Sequence, residues 1–251
     1  MRRIQFQLTP AAGKQLIAQA LVQKEEVARA LSSGKILVIS GTTNAFVANE
    51  LLKTVGEAPK VTFEAFHRGV VTAPGHAPVK AQQIGDLLIE NGKARFCEQE
   101  ALAQICSELG NGDVIMKGAN AVHLASHTAG ILIGNTVSGG TIMEASRAVY
   151  SRRAKLILPV GLEKRVERPV HEIEQLVNDP QSEGLRFTAA PGEAFTELDA
   201  IRLLTGNDCE IIASGGVSGA EGCVWLQAWG GDLEQLSQIL RQVRDTEKVF
   251  C

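Results

Sequence analysis

Three short apolar runs constrain this chain more than any other feature: Lys35-Ile-Leu-Val-Ile-Ser40, Asp113-Val-Ile-Met116 and Lys155-Leu-Ile-Leu-Pro-Val160. None alternates polar with apolar residues. Each therefore predicts a strand buried on both faces, the pattern of a parallel sheet covered by helices. The first run ends in Gly41-Thr-Thr-Asn44 and passes into a helical pattern over 45–52, with Phe46, Val47, Leu51 and Leu52 inward. The second ends in Lys117-Gly-Ala-Asn-Ala-Val-His123. Ser138-Gly-Gly140 then opens a helix over Thr141–Arg152, which leads to the third run. The expected fold class is α/β: a Rossmann-like, mostly parallel sheet flanked by helices. In such open sheets ligands sit beyond the carboxyl ends of the strands, so Asp113–Val160 is expected to form the floor of a small-molecule site.

The remaining pattern fills in this frame. Thr9 is placed to cap a helix with Pro10 in its first turn, and apolar spacing continues a helix or helix pair over 10–33. Val61–Phe66 predicts a strand, followed by a turn-rich loop through Thr72–Pro78. Asn91-Gly92 between Asp86–Glu90 and Lys93–Cys97 predicts a hairpin. Helices are expected over Glu98–Leu109 and from Pro169 to Val177, and a strand over Gly130–Ile133. Residues 178–184 read as a linker, dividing the chain into domains 1–180 and 181–251. In the second domain the order is strand 185–189, helix 195–204, strand 210–213, a glycine turn over 215–222, strand 223–229, helix 233–243 and strand 247–250. That βαββαβ order is the ferredoxin-like α+β unit.

Composition narrows the function. The net charge is −3 with no basic cluster, and aromatic residues make up 4%; neither suits a nucleic-acid surface. No apolar run reaches the length of a membrane span. The five cysteines show no CxxC spacing, which suits a reducing, cytoplasmic setting and buried thiols. No dinucleotide, P-loop or nucleophile-elbow motif occurs, so no cofactor is expected. His67, His76, His123 and His127 form no metal-binding spacing, so no metal is expected either.

Chemistry-bearing residues gather at the corners. Gly41, Thr42, Thr43 and Asn44 stand at a strand-to-helix junction, where first-turn N–H groups and side-chain donors favour an anion; Thr43 or Asn44 as the helix cap is the competing role. Ser138, Gly139, Gly140 and Thr141 make a second such loop. Glu144, in the first turn beyond it, is placed either to abstract a proton beside a carbonyl or to serve as a capping-box acid. Lys117 ends a buried strand. Its readings are anion contact, a base or amine nucleophile if desolvated, or a stem reaching solvent. Asn120 is either an orienting amide or a left-handed turn residue. Arg68 is a candidate clamp for phosphate or carboxylate, with plain exposure as the default. The Gly215–Gly219 turn joins two strands. It suits a hairpin crossing the site or a contact in a homo-oligomer better than a phosphate cradle.

The Asp113–His123 strand and corner, the Ser138-Gly-Gly-Thr141 helix start and the Lys155–Gly161 run together resemble ribose-5-phosphate isomerase A. Gly41-Thr-Thr-Asn44 is similar to that family's phosphate loop. The resemblance covers roughly residues 24–162. It implies the scaffold shared with glucosamine-6-phosphate deaminase, sugar-sensing regulator domains, translation-factor 2B-like proteins and CoA transferases. It also places Glu144 within one position of the isomerase's catalytic glutamate. Lys117 and Asn120 stand where the isomerase has two aspartates, and Ala121 where it has a glutamate, which argues against the plain isomerase reaction. The expected function is binding of a small phosphorylated or carboxylated metabolite, with isomerisation or another proton transfer by Glu144 and Lys117. The alternatives are a non-catalytic metabolite sensor and a CoA-transferase-like enzyme acting through Glu144.

Overall fold

The computed structural model describes residues 2–69, 71 and 82–245. The expected loop over Thr72–Pro78, His76 and the strand over 247–250 lie outside the described residues. Strand β1 (Arg3–Leu8) leads into α1 (Pro10–Leu21), which starts as the sequence predicts: Thr9 Oγ1 accepts the N–H of Ala12, and Pro10 opens the first turn. After α2 (Glu25–Ser33), the first apolar run is β2 (Lys35–Val38), followed by α3 (Thr42–Thr54). Val61–Phe66, expected as a strand, is turns and irregular chain. Asn49 on α3 explains this: its amide donates to Val61 O at 2.9 Å and its carbonyl accepts Val61 N at 3.0 Å, occupying backbone groups that a ladder needs. The aromatic residues there pack as side chains, with Phe63 tilted 4.9 Å from Phe46.

β3 (Asp86–Glu90) and β4 (Lys93–Cys97) form the expected hairpin, with Asn91 and Gly92 both at positive φ. The chain continues through α4 (Leu102–Glu108), β5 (Val114–Met116), β6 (Ala121–His123), β7 (Thr128–Ile133), α5 (Thr141–Arg152) and β8 (Lys155–Pro159). It ends its described course with α6 (Val170–Val177), β9 (Arg186–Ala189), β10 (Glu193–Phe195), α7 (Glu197–Thr205), β11 (Asn207–Ser214), β12 (Val224–Gly230) and α8 (Leu233–Asp245).

The protein is mixed α/β. Its main sheet has the order β10-β8-β5-β2-β3-β4, in which β10, β8, β5 and β2 run parallel and the hairpin is attached antiparallel. Alternate residues of the apolar runs serve two cores. Ile36, Val38, Val114, Met116 and Ile157 face α1, α3 and α7, whereas Leu37, Ile39, Ile115, Leu156 and Leu158 face α4 and α5. Burial on both faces is why those runs carry no polar alternation.

Beyond α1 lies an antiparallel sheet, β1-β12-β11, whose Phe6, Leu8, Val224, Leu226 and Ala228 join the first core. α1 is thus enclosed by both sheets, and Ala12, Gly13, Gln15, Leu16, Ile17, Ala18, Ala20 and Leu21 are all buried. Such all-round burial requires a helix with few charges.

The C-terminal strands do not form one sheet. β9 pairs with β7, which also pairs with β6; β10 joins β8 in the main sheet; only β11 and β12 share a sheet, completed by β1 from the N-terminus. Strands on both sides of residues 178–184 therefore share sheets, and that segment is a surface connection from α6 to β9. β1, β6 and β10 were not expected, 121–129 having the pattern of a loop: an alternating half-polar run and two three-residue strands give little periodic signal beside the longer runs.

Candidate functional site

The carboxyl ends of β2, β5, β8 and β10 lie along one edge of the main sheet. Backbone bonds carry the ladder past each strand end: Ile39 N donates to Met116 O at 2.9 Å, Lys117 N to Ile157 O at 3.1 Å, and Val160 N to Phe195 O at 3.0 Å. α3 and α7 start at this edge, directly after β2 and β10. Their first N–H groups face it with the positive ends of both helix dipoles.

At the parting of β2 and β5, the Asn44 amide donates to Ile39 O at 2.7 Å and Met116 O at 3.0 Å. Both partners are carbonyls, so the amide orientation is forced. This corrects the expectation that Asn44 offers a donor to a ligand: both N–H bonds belong to the fold. Its fully buried Oδ1 and the buried Oγ1 of Thr43 have no partner among the described residues. Neither residue caps α3. The N-cap is Gly41, which supplies no side chain, and Thr42 is exposed.

Asp86, 1% exposed, opens β3 at the same edge. Its Oδ1 accepts Ser40 N at 2.8 Å, and its Oδ2 accepts Arg68 Nη2 at 2.8 Å. Burial pushes its carboxyl up, against the pull of Arg68. Arg68 is therefore half-buried and paired, in contrast to the exposed default. Lys117, at the end of β5, makes no side-chain hydrogen bond or ion pair with the described residues. Burial and then the Arg68 guanidinium, reinforced by Lys164, lower its ammonium to about 8, with Asp86 opposing. Lys164 follows β8, and its Nζ donates to Ala119 O at 3.0 Å. Burial lowers this ammonium as well. Arg68 and Lys117 thus share the field of Asp86, while Lys164 lies in that of Glu163 and Glu197. Among the described residues, a Cβ added at Gly41 or Gly118 would meet nothing within 4 Å.

A second buried acid lies beside this cluster. Glu197, the first residue of α7, accepts Leu162 N at 2.9 Å through Oε2. Burial, then Glu163, pushes its carboxyl up to about 8.

No side-chain bond among the described residues ties the other expected site residues to Lys117 or Asp86. Gly139 and Gly140 have positive φ and precede α5, whose N-cap, Gly140, makes no side-chain cap bond; Ser138 Oγ accepts Gly140 N at 3.2 Å, and Thr141 begins the helix. Glu144 forms no capping box. It pairs with Arg147 at 2.6 Å on its own helix and raises the buried Cys106 thiol on α4, an effect second to burial. The charges that shift Lys117 do not include Glu144. Asn120 accepts Leu132 N at 3.0 Å through Oδ1, tying the β5 corner to β7, and it is not at positive φ. His67 bonds Phe63 O, His123 bonds Ser126 Oγ, and His127 pairs with Asp199 at 3.2 Å. Among the described residues no three His, Cys, Asp or Glu side chains are placed to hold a metal. The β11–β12 hairpin reaches the same edge, where Arg165 donates to Ser214 Oγ.

Asp86, Lys164 and Glu197 were missed from the sequence. Asp86 carried a signal, an acid leading a run of buried apolar residues. Glu197 stands inside Thr196-Glu-Leu-Asp199, a capping-box pattern that the structure forms in full. Lys164 carried none. Set beside known protein families and curated proteins, the chain matches no family model and no curated sequence.

Proposed function

We propose that the carboxyl edge of the main sheet binds a small anionic metabolite, phosphorylated or carboxylated, between the start of α3 and the Lys117 corner. The observation that carries this reading is the charge imbalance. Arg68 and Lys117 both act on a single carboxylate, Asp86, which is already engaged by Ser40 and Arg68. A buried excess of positive charge beside helix N-termini is costly unless an anion relieves it. The unpartnered Thr43 hydroxyl adds a donor at the same helix start.

In this reading the main sheet with its helices is Rossmann-like, and β1, α1, β11, β12 and α8 form a ferredoxin-like unit split by the insertion of that sheet. Glu144 is the less supported part: its tie to Arg147 and its absence from the charges that shift Lys117 favour anion binding over proton transfer by Glu144. Thermal-shift titration with inorganic phosphate, a sugar phosphate and small carboxylates tests the proposal. A saturable rise in melting temperature with at least one anion, reduced at least tenfold in apparent affinity in Arg68→Met, is expected. No rise with any of them, or an equal rise in Arg68→Met, overturns it.

A further inference from the structure

We propose that Lys117 is an amine nucleophile that forms an imine with a carbonyl group on the bound anion. This rests on the anion-binding reading of the same edge and names its substrate class: small aldehydes or ketones bearing a phosphate or carboxylate. The neighbouring polar groups are committed elsewhere. Asp86 holds Ser40 N and Arg68, and Lys164 is tied to Ala119 O. Lys117 Nζ has no hydrogen bond or ion pair with the described residues, and a Cβ at Gly118 beside it would meet none of their atoms within 4 Å. An imine-forming lysine needs these features: an unpaired amine, neighbouring positive charge that favours its neutral form, and cations to hold the anionic end of the substrate.

In the step itself, the neutral Nζ attacks the carbonyl carbon. A carbinolamine forms, the carbonyl oxygen leaves as water after protonation, and a C=N bond to Nζ remains. The charged groups facing Nζ are Arg68 from the loop before β3, Asp86 from β3 and Lys164 after β8. Burial, with the two cations, lowers the amine against the opposing carboxylate, so the neutral amine is well populated near pH 8.

The test uses the full chain with pyruvate and dihydroxyacetone phosphate as probes, each trapped with borohydride, and peptide mapping of the reduced adduct. Lactate and glycerol 3-phosphate, which lack the carbonyl, serve as binding controls. The expected result is an adduct on Lys117 formed at least tenfold faster than on any other lysine, with a rate rising through about pH 8, and absent from Lys117→Arg. Mapping the adduct in the unmodified chain keeps the test valid even where that variant folds poorly. Trapping spread evenly over the lysines, while the control anions still raise the melting temperature, overturns the imine and leaves anion binding standing. No selective adduct together with no response to either control anion overturns both.

Discussion

Gly13 and Glu197 meet where α1 crosses the start of α7: a Cβ at residue 13 would stand 2.3 Å from Glu197 Oε1 and 3.1 Å from Glu197 Cδ. The absent side chain lets a buried carboxylate reach Leu162 N in the turn beyond β8. Gly13→Ala must displace that carboxylate and strain the contact. A loss of about 1–3 kcal/mol is expected, the usual cost of overpacking, although alanine is the better helix former. Urea unfolding of the two proteins measures it; equal midpoints would mean that the carboxylate is free to move.

Glu197 also makes a pH prediction. Its folded carboxyl titrates at about 8 against an ordinary 4.5. Between those values the folded state holds a proton that the unfolded state releases, so stability falls as pH rises through this window. Glu197→Gln keeps the neutral shape and removes that titration. The variant's stability relative to the natural chain is expected to increase by about 4 kcal/mol between pH 5 and pH 8.5. Parallel stability curves over that range would refute the burial argument.

Lys117 behaves in the opposite sense. Its folded ammonium is lowered from 10.5 to about 8. At neutral pH the fold carries a charge that it disfavours, and stability from this group rises only between pH 8 and 10.5. Lys117→Met is therefore expected to raise stability at pH 7 by about 1–2 kcal/mol while weakening the response to anions, the exchange expected of a functional residue. Destabilisation at pH 7 would mark Lys117 as a structural lysine.

What the sequence made legible follows from range. The apolar runs of β2, β5 and β8, the Thr9-Pro10 helix start and the Asn91-Gly92 turn are local patterns with local causes, and they appear where expected. Assignment of strands to sheets is not local. β9 matches its expected span within a residue yet joins β7, because nothing within Arg186–Ala189 specifies its partner. The site divided in the same way. Lys117 and Gly41 were found from strand ends, whereas the Arg68–Asp86 pair spans 18 residues of chain, and Lys164 meets Ala119 across 45. A single side chain does not announce such partners.

Asn44 and Thr43 are neighbours on α3 with opposite expected behaviour. Asn44 donates to two strand-end carbonyls, so Asn44→Asp would set a carboxylate against Ile39 O and Met116 O. A loss of about 2–4 kcal/mol is expected from the broken bonds and the buried charge. Thr43 Oγ1 is buried without a partner, so Thr43→Val removes an unsatisfied hydroxyl at nearly constant shape. That change should leave stability equal or raise it by about 1 kcal/mol. If the hydroxyl serves an anion at the start of α3, Thr43→Val must also lower phosphate affinity. Chemical unfolding with and without phosphate separates the two effects. A valine variant with lower stability and undiminished phosphate binding would show that Thr43 belongs to the core alone.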